Sequence, residues 1–268
     1  MPETADLGAA DLAGVEEVLV RTCGLSLTAG LGEALRSAVQ DAAGSLGLEA
    51  PQLLLRLRAA DPAAIEALVE HSVVGETYFY RHPEQFAALQ RHLFAQPGPI
   101  RAWCAGCATG EEPYSLAMAL LEAGRDGAGD RILATDVSGR ALERARRGRY
   151  GHWSLRRLPA ELLARHFQGD GAEDRALPPR IRDMVAFGRQ NLVTDPPPAG
   201  PFDLVLCRNV LIYFAPKAAA EVLRRLVAAV RRGGFLALGP VELSLADALA
   251  VERVEAFGAT LLRRPADG

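Results

Sequence analysis

The sequence predicts an α/β fold: a small helical N-terminal domain, then an open and mostly parallel seven-stranded sheet carrying a small inserted antiparallel β-subdomain. Three observations carry that expectation. From Ile100 onward, short apolar runs (Ile100–Cys104, Arg131–Thr135, Met184–Gly188, Phe202–Cys207, Phe235–Leu238) alternate with helical patterns. Before about residue 95 the periodicity is helical only. At the C-terminal end, Val251–Phe257 and Ala259–Arg263 read as a closing antiparallel pair. The expected divisions are 1–80 for the helical domain, 81–99 for a linker helix and 100–268 for the sheet domain, with the insertion at about 150–183.

Composition narrows the function classes. The chain has 268 residues, 49% of them hydrophobic, enough for a sizeable core. A net charge of −3 argues against a general nucleic-acid binder. No apolar run approaches the ~18 residues of a membrane span, so no membrane insertion is expected. The opening MPETADLGAADLAGVEE has no basic segment ahead of an apolar one, so no secretory leader is expected. The 4 cysteines are Cys23, Cys104, Cys107 and Cys207. Cys104-x-x-Cys107 has no second cysteine or histidine pair to complete a zinc site, so it reads as small-residue filler, with no metal. A reducing cytoplasm and a monomer are the expectations. Lys217 is the only lysine, which reads as coding bias.

In chain order, Leu12, Val15, Val18 and Leu19 share one helical face. Gly30–Val39, Pro51–Leu57 and Pro62–Val74 are further helical patterns with proline or glycine at their edges. Then Gly75-Glu76-Thr77-Tyr78-Phe79-Tyr80-Arg81 packs three aromatics and an arginine into a short stretch. It reads either as a hydrophobic hinge or as an aromatic wall with an arginine aimed at an anion. His82-Pro83 breaks it, Glu84–Phe94 resumes a helix, and Pro97-Gly98-Pro99 is a turn.

The stretch Ile100–Leu121 is the centre of the chain: strand, small-residue turn, helix. Such a unit brings backbone N–H groups and a helix N-terminus up to a small ligand. The turn matches neither GxxxxGK[ST] nor GxGxxG, and it carries Glu111 and Glu112, which would repel a phosphate. A ligand with an ammonium or sulfonium, such as S-adenosylmethionine (SAM), suits it better. Thr109-Gly110-Glu111-Glu112 also fits a helix capping box, so on this stretch alone both readings stand.

Asp136 ends the second strand, where an acidic residue suits ribose hydroxyls; the other reading is a helix cap beside Ser138. The next helix is basic: Arg140, Arg144, Arg146, Arg147 and Arg149, then Arg156 and Arg157. That is either a solvated face or a surface that steers an acidic protein. Pro159–Phe167 is a helix, Gln168–Pro179 a loop, and Arg180–Phe187 an alternating pattern. Arg208 and Asn209 follow the buried run Phe202–Cys207, at the ligand-binding edge of such a sheet. Tyr213 lies on the next turn. Pro216–Arg232 reads as a helix stopped by Gly233-Gly234, and Gly239–Ala250 as loop and helix.

GETYFYR, ATGEEPYSLAMAL, ATDVSGRALERARRGRY, FGRQNL, FDLVLCRNVLIYF and GGFLALGPVE follow one another from about Val73 to Leu245. In order and spacing this set resembles the CheR-type chemotaxis protein-glutamate O-methyltransferases. The resemblance implies a class I SAM-methyltransferase (Rossmann-like) sheet and SAM as cofactor, leaving S-adenosylhomocysteine as product. It implies methyl transfer to glutamate side chains of a signalling protein, a chemoreceptor above all. It also implies roles. Gly75, Thr77 and Arg81 would contact SAM from the linker, Glu112 would take the methionine ammonium and Asp136 the ribose. Asn191 and Leu192 would flank the adenine, and Arg208 and Asn209 would complete the pocket. Arg81 and Tyr213 would stand nearest the transferring methyl. Gly75 departs from the family's frequent asparagine, and the first domain is acidic where many members are basic. The basic segment Arg140–Arg157 therefore becomes the expected docking surface for an acidic partner. The alternative is a catalytically weak SAM-binding regulatory module.

Overall fold

The computed structural model describes residues 7–26, 32–126, 129–169 and 174–266. The start of the N-terminal stretch, Gly30 and the tip of the 168–179 loop lie outside the described residues. The chain divides into two compact units: Met1–Val74 with Asn191–Asp195 and Ile212–Val222, and the remainder.

The first unit is helical: α1 (Ala9–Cys23), α2 (Gly32–Ser45), α3 (Ala50–Arg58) and α4 (Pro62–Ser72). Val15, Val18 and Leu19 of α1 are buried as their spacing predicts, with Val39, Leu53 and Leu68 from the other helices. Asp61 caps α4 by accepting from the Ala63 and Ala64 N–H groups, and Pro62 occupies the first turn, where no N–H is needed. Two later segments join this unit. Ser26 N donates to the Tyr213 carbonyl (2.9 Å), Ala215 N to that of Gly24 (2.8 Å) and Asn191 Nδ2 to that of Thr22 (2.8 Å).

The second unit holds a seven-stranded sheet made of β1 (Arg101–Ala105), β2 (Arg131–Asp136), β5 (Val185–Arg189), β6 (Phe202–Cys207), β7 (Val230–Leu238), β8 (Glu252–Ala256) and β9 (Ala259–Arg263). Their order is β5-β2-β1-β6-β7-β9-β8. β1, β2, β5, β6 and β7 are mutually parallel, and β9 runs antiparallel to β7 and β8. The winding reverses between β1 and β6, so a crevice is expected outside the carboxyl ends of those strands. Around the sheet lie α5 (Pro83–Leu89), which continues as a wider turn over Gln90–Phe94, α6 (Glu111–Glu122) and α7 (Gly139–Arg147). The insertion is a two-stranded antiparallel ladder, β3 (Arg149–Tyr150) with β4 (Arg175–Ala176), plus the short helices α8 (His152–Leu155), α9 (Ala160–His166) and α10 (Pro179–Arg182). Helix α11 (Pro216–Ala229) contributes residues to both units. Tyr114, Leu116 and Met118 of α6 join Ile132 of β2 in the main core cluster, while Trp103 of β1 is buried outside it and donates from Nε1 to Thr135 Oγ1 at 2.9 Å.

Four expectations need correction. The helix from Pro216 ends at Ala229, not Arg232, and β7 begins at Val230. The Arg231-Arg232-Gly233 stretch is drawn into the sheet: Arg231 pairs with Asp203, and Gly233 N donates to the Arg264 carbonyl. Arg180–Arg182 is a helical turn before β5, because Pro178-Pro179 favours a helix start over a ladder. Gly239–Ala250 forms a run of 3-10 turns over Pro240–Ala246. Helix α4 stops at Ser72, short of Val74. No helix among the described residues is long and apolar enough to cross a membrane.

Candidate active site

The site grows from the turn after β1. Gly106 has φ 78°, and a Cβ there would stand 2.6 Å from Val210 Cγ2, so no side chain fits. Gly106 N and Cys107 N both donate to the Thr135 carbonyl (2.8 and 3.0 Å), tying the turn to the end of β2. Asp136 sits beneath it: Oδ2 accepts from Ala108 N at 2.8 Å and Oδ1 from Ser138 N at 2.9 Å. Ser138, not Asp136, caps α7, through Ala141 N.

The capping box, one of the two readings of Thr109–Glu112, does not form. Gly110, with φ 96°, holds the cap position of α6, so Thr109 is displaced from it. Thr109 Oγ1 donates instead to Glu111 Oε2 (2.7 Å), and Ser154 of α8 donates to Glu111 Oε1 (2.7 Å). Glu111 is thus a buried tie between the turn and the insertion. Burial raises its pKa, and the two hydroxyls oppose that.

Glu112 has other partners. Its Oε2 accepts from Arg208 Nε at 2.7 Å, and Arg208 Nη1 donates to Gln85 Oε1 at 3.1 Å. Gln85 Nε2 donates to the Leu238 carbonyl (2.8 Å), which fixes the amide. All three side chains are buried, and the Arg208 guanidinium lies 5.3 Å from the Phe86 ring centre. Burial raises the Glu112 pKa against the opposing charge of Arg208. Its second oxygen, Oε1, is buried without a hydrogen-bond partner; the protonated Cys104 thiol beside the carboxylate is a weak donor that also favours its ionised form.

Asn209 presents the second such atom. Its backbone is left-handed (φ 58°), and its Oδ1 is buried without a partner. Glu242 holds that geometry: its carboxylate accepts from Asn209 N (2.8 Å), Val210 N (2.8 Å) and Gly239 N (2.7 Å). A Cβ at Gly239 would meet Glu242 Oε2 at 2.7 Å and Asn209 N at 3.0 Å, so the close approach needs glycine there. Two buried acceptors without donors, at the carboxyl ends of neighbouring parallel strands, suit a ligand that brings N–H or O–H groups.

The acids surround one turn. The Cys107 thiol is held far above its usual range by burial, then by the charges of Asp136 and Glu112. Cys104 and Cys207 are likewise buried and pushed up, so these thiols stay protonated and unreactive. No set of three or more metal-ligating side chains occurs among the described residues.

The linker Gly75–Arg81 is tied down from the insertion and from α6. Phe79 N donates to the Ser154 carbonyl (3.0 Å) and Tyr80 N to Ser115 Oγ (2.9 Å). Tyr80 and His82 both have positive φ, 54° and 59°, a strained backbone for residues with side chains. Phe79 corrects the aromatic-wall expectation. It is fully buried edge-on between Tyr150 (4.8 Å) and Phe167 (5.2 Å), so it anchors the linker and lines no cleft. Arg81 Nη1 donates to the Glu76 carbonyl at 3.0 Å. Gly75 is exposed, with nothing near its missing Cβ.

The second unit therefore contains Gly75, Thr77, Arg81, Glu112, Asp136, Arg208 and Asn209, and it joins Glu112 directly to Arg208. Asn191, Leu192 and Tyr213 belong to the first unit. There the Asn191 amide is engaged, Nδ2 with Thr22 and Oδ1 with Val193 N at 3.0 Å. Of the basic segment, Arg140, Arg144, Arg146, Arg147, Arg149 and Arg157 are exposed. Sequence reasoning missed Gln85 and Glu242. Glu242 was visible as the last residue of the GPVE run; Gln85 had no signal beyond its place in the helix after His82-Pro83.

Residues 75–255 match the family model described as "CheR methyltransferase, SAM binding domain". The "Probable biofilm formation methyltransferase WspC" of Pseudomonas aeruginosa is 41% identical over 192 residues, 69% of this chain and 45% of that protein. An uncharacterized 104.1 kDa protein of Rhodobacter capsulatus is 39% identical over 199 residues, 70% of this chain and 21% of that one. "Chemotaxis protein methyltransferase 1" of Pseudomonas aeruginosa is 33% identical over 237 residues, 84% of this chain and 86% of that one. The chain thus spans less than half the length of the first two relatives and most of the third.

Proposed function

The chain belongs to the CheR methyltransferase family, and we propose that it transfers a methyl group from SAM to glutamate side-chain carboxylates of a signalling protein. The observation that carries this reading is the buried Glu112, clamped by Arg208 on one oxygen and lacking a partner on the other, inside the matched SAM-binding domain. A substrate ammonium offers what that oxygen lacks. The relatives named chemotaxis protein methyltransferase support a chemoreceptor as acceptor, and the relative named a biofilm formation methyltransferase supports an acceptor outside chemotaxis.

In this reading Glu112 receives the methionine ammonium, with Arg208 holding the carboxylate in place. Asp136 takes ribose hydroxyls, and Asn209 Oδ1 accepts a donor from the same ligand. Gly75 and Thr77 close the linker side. SAM supplies a methyl on a sulfonium; the ester C–O bond forms as the C–S bond breaks and its electron pair returns to sulfur.

The protein's own work is positioning and drying. A glutamate with a pKa of about 4.3 is already ionised at neutral pH, so no general base is required. Arg81 orients one carboxylate oxygen by a charge-assisted bond. Cation and anion neutralise each other as the methyl moves, and a water-poor site favours that dispersal.

Incubation of the protein and radiolabelled SAM with a cell lysate tests this directly. The expected result is labelled protein that releases volatile methanol on mild base treatment. Label that is base-stable, or found in nucleic acid or small molecules, would overturn it.

A further inference from the structure

One face of the second unit carries more positive charge than its own carboxylates neutralise. Three guanidinium groups surround the Tyr78 ring: Arg156 at 4.3 Å, Arg157 at 5.5 Å and Arg81 at 5.7 Å from its centre. Arg156 also stacks on Trp153 at 4.2 Å, and that indole is 65% exposed. Among the described residues one carboxylate bonds to the cluster. Glu76 accepts from Arg156 Nη2 at 2.5 Å and from Trp153 Nε1 at 3.2 Å. Among the described residues Arg81 and Arg157 form no ion pair. Like charges gathered on one ring repel unless an anion joins them, and an indole left in water loses the burial it would gain under a partner.

We propose that Tyr78, Trp153, Arg156 and Arg157 form a docking face for an acidic polypeptide segment, whose carboxylates pair with the arginines while an apolar side chain covers Trp153. This rests on the methyl-transfer reading above, because the docked segment then presents a neighbouring glutamate to Arg81. Carboxylate is the favoured anion because the fork of Trp153 Nε1 and Arg156 Nη2 already holds one, from Glu76. Guanidinium groups stacked face-on leave their N–H edges open for carboxylates. A nucleic acid would need a longer basic track than this face offers in a chain of net charge −3.

The protein reports its own binding. Of its 2 tryptophans, Trp103 is 1% exposed, so a ligand-induced change in emission comes from Trp153. The full chain is titrated with poly-L-glutamate, and separately with poly-L-lysine and a single-stranded oligonucleotide. The expected result is a saturable shift with poly-L-glutamate alone. Arg157→Glu should weaken it at least tenfold and Arg157→Gln by less, both with wild-type SAM affinity and unfolding midpoint. Trp153→Phe should abolish the optical signal while calorimetry still detects binding. Equal poly-L-glutamate binding by wild type and Arg157→Glu overturns the proposal, as does tighter binding of the oligonucleotide. In the lysate assay, Arg157→Glu should lose protein methyl esters while keeping SAM. If the wild type makes no methyl esters yet binds poly-L-glutamate through Arg157, the methyl-transfer reading falls and the docking face stands.

Discussion

Two buried arginine–carboxylate pairs lie at opposite ends of the same parallel strands, and they are built differently. At the amino ends, Arg125 grips Asp130 through Nε and Nη2, both at 2.8 Å. Its remaining donors go to the carbonyls of Phe94, Gln96 and Gly98, and Asp130 Oδ1 also accepts from Ile100 N at 2.7 Å. Every guanidinium nitrogen is used. At the carboxyl ends, Arg208 meets Glu112 by one bond, and Glu112 Oε1 stays without a partner. A buried polar atom left unsatisfied costs roughly 1–3 kcal/mol. A saturated pair holds a turn in place; an unsaturated one, in the crevice of the switch point, has capacity left for a ligand.

Substitutions can break or sharpen that contrast. Asp130→Asn should have the largest effect, a stability loss of about 3–5 kcal/mol in urea unfolding, since it strands a buried guanidinium. SAM affinity of the folded fraction should not change; a parallel loss of affinity would erase the distinction between the two ends. Arg81→Ala should lower turnover roughly 100-fold, with a smaller change in SAM affinity, as loss of carboxylate orientation predicts. Single-turnover rates beside calorimetry separate the two. Glu242→Gln removes charge from three backbone hydrogen bonds and should cost about 1.5–3 kcal/mol of stability together with some SAM affinity, because Asn209 loses its brace.

Glu112→Gln should differ from Asp130→Asn in what it does to the ligand. Its amide oxygen can still accept from Arg208, but that buried guanidinium loses its counter-charge, so stability should also fall, by up to about 3 kcal/mol. SAM affinity should fall about tenfold or more, equivalent to ~1.4 kcal/mol. The smallest effect is in pH. Burial holds the Glu112 pKa above the ordinary 4.5. A cationic ligand binds the ionised form, so affinity is complete above that raised value and declines as pH falls through it, ahead of an ordinary carboxylate. The stability effect has the opposite sign. The folded state holds this proton more tightly than the unfolded one, so the penalty is absent below 4.5 and grows as pH rises through the raised value. Glu112→Gln should flatten both profiles, read by calorimetry and by thermal unfolding across pH 4–8.

Much of this was legible from the chain alone. The apolar runs at Ile100, Arg131, Phe202 and Phe235 became β1, β2, β6 and β7 within a few residues, because strand burial and side-chain alternation are local properties. The turn at Gly106 was legible because only a small residue could stand there. The antiparallel insertion and the C-terminal hairpin also followed from local turn chemistry. The start of β7 did not. Val230–Gly234 reads as a helix end until Asp203 and Arg264, distant in the chain, claim its side chains and backbone.

By itself the sequence determined the α/β class, the acidic turn and the position of Arg208 and Asn209 at a strand's end. Tertiary structure decided the division of labour between two adjacent glutamates. Successive helical residues diverge by about 100°, so Glu111 meets Ser154 of the insertion while Glu112 meets Arg208, the residue after β6. Which oxygen is left without a partner depends on segments that return from far along the chain, and no local pattern encodes that return.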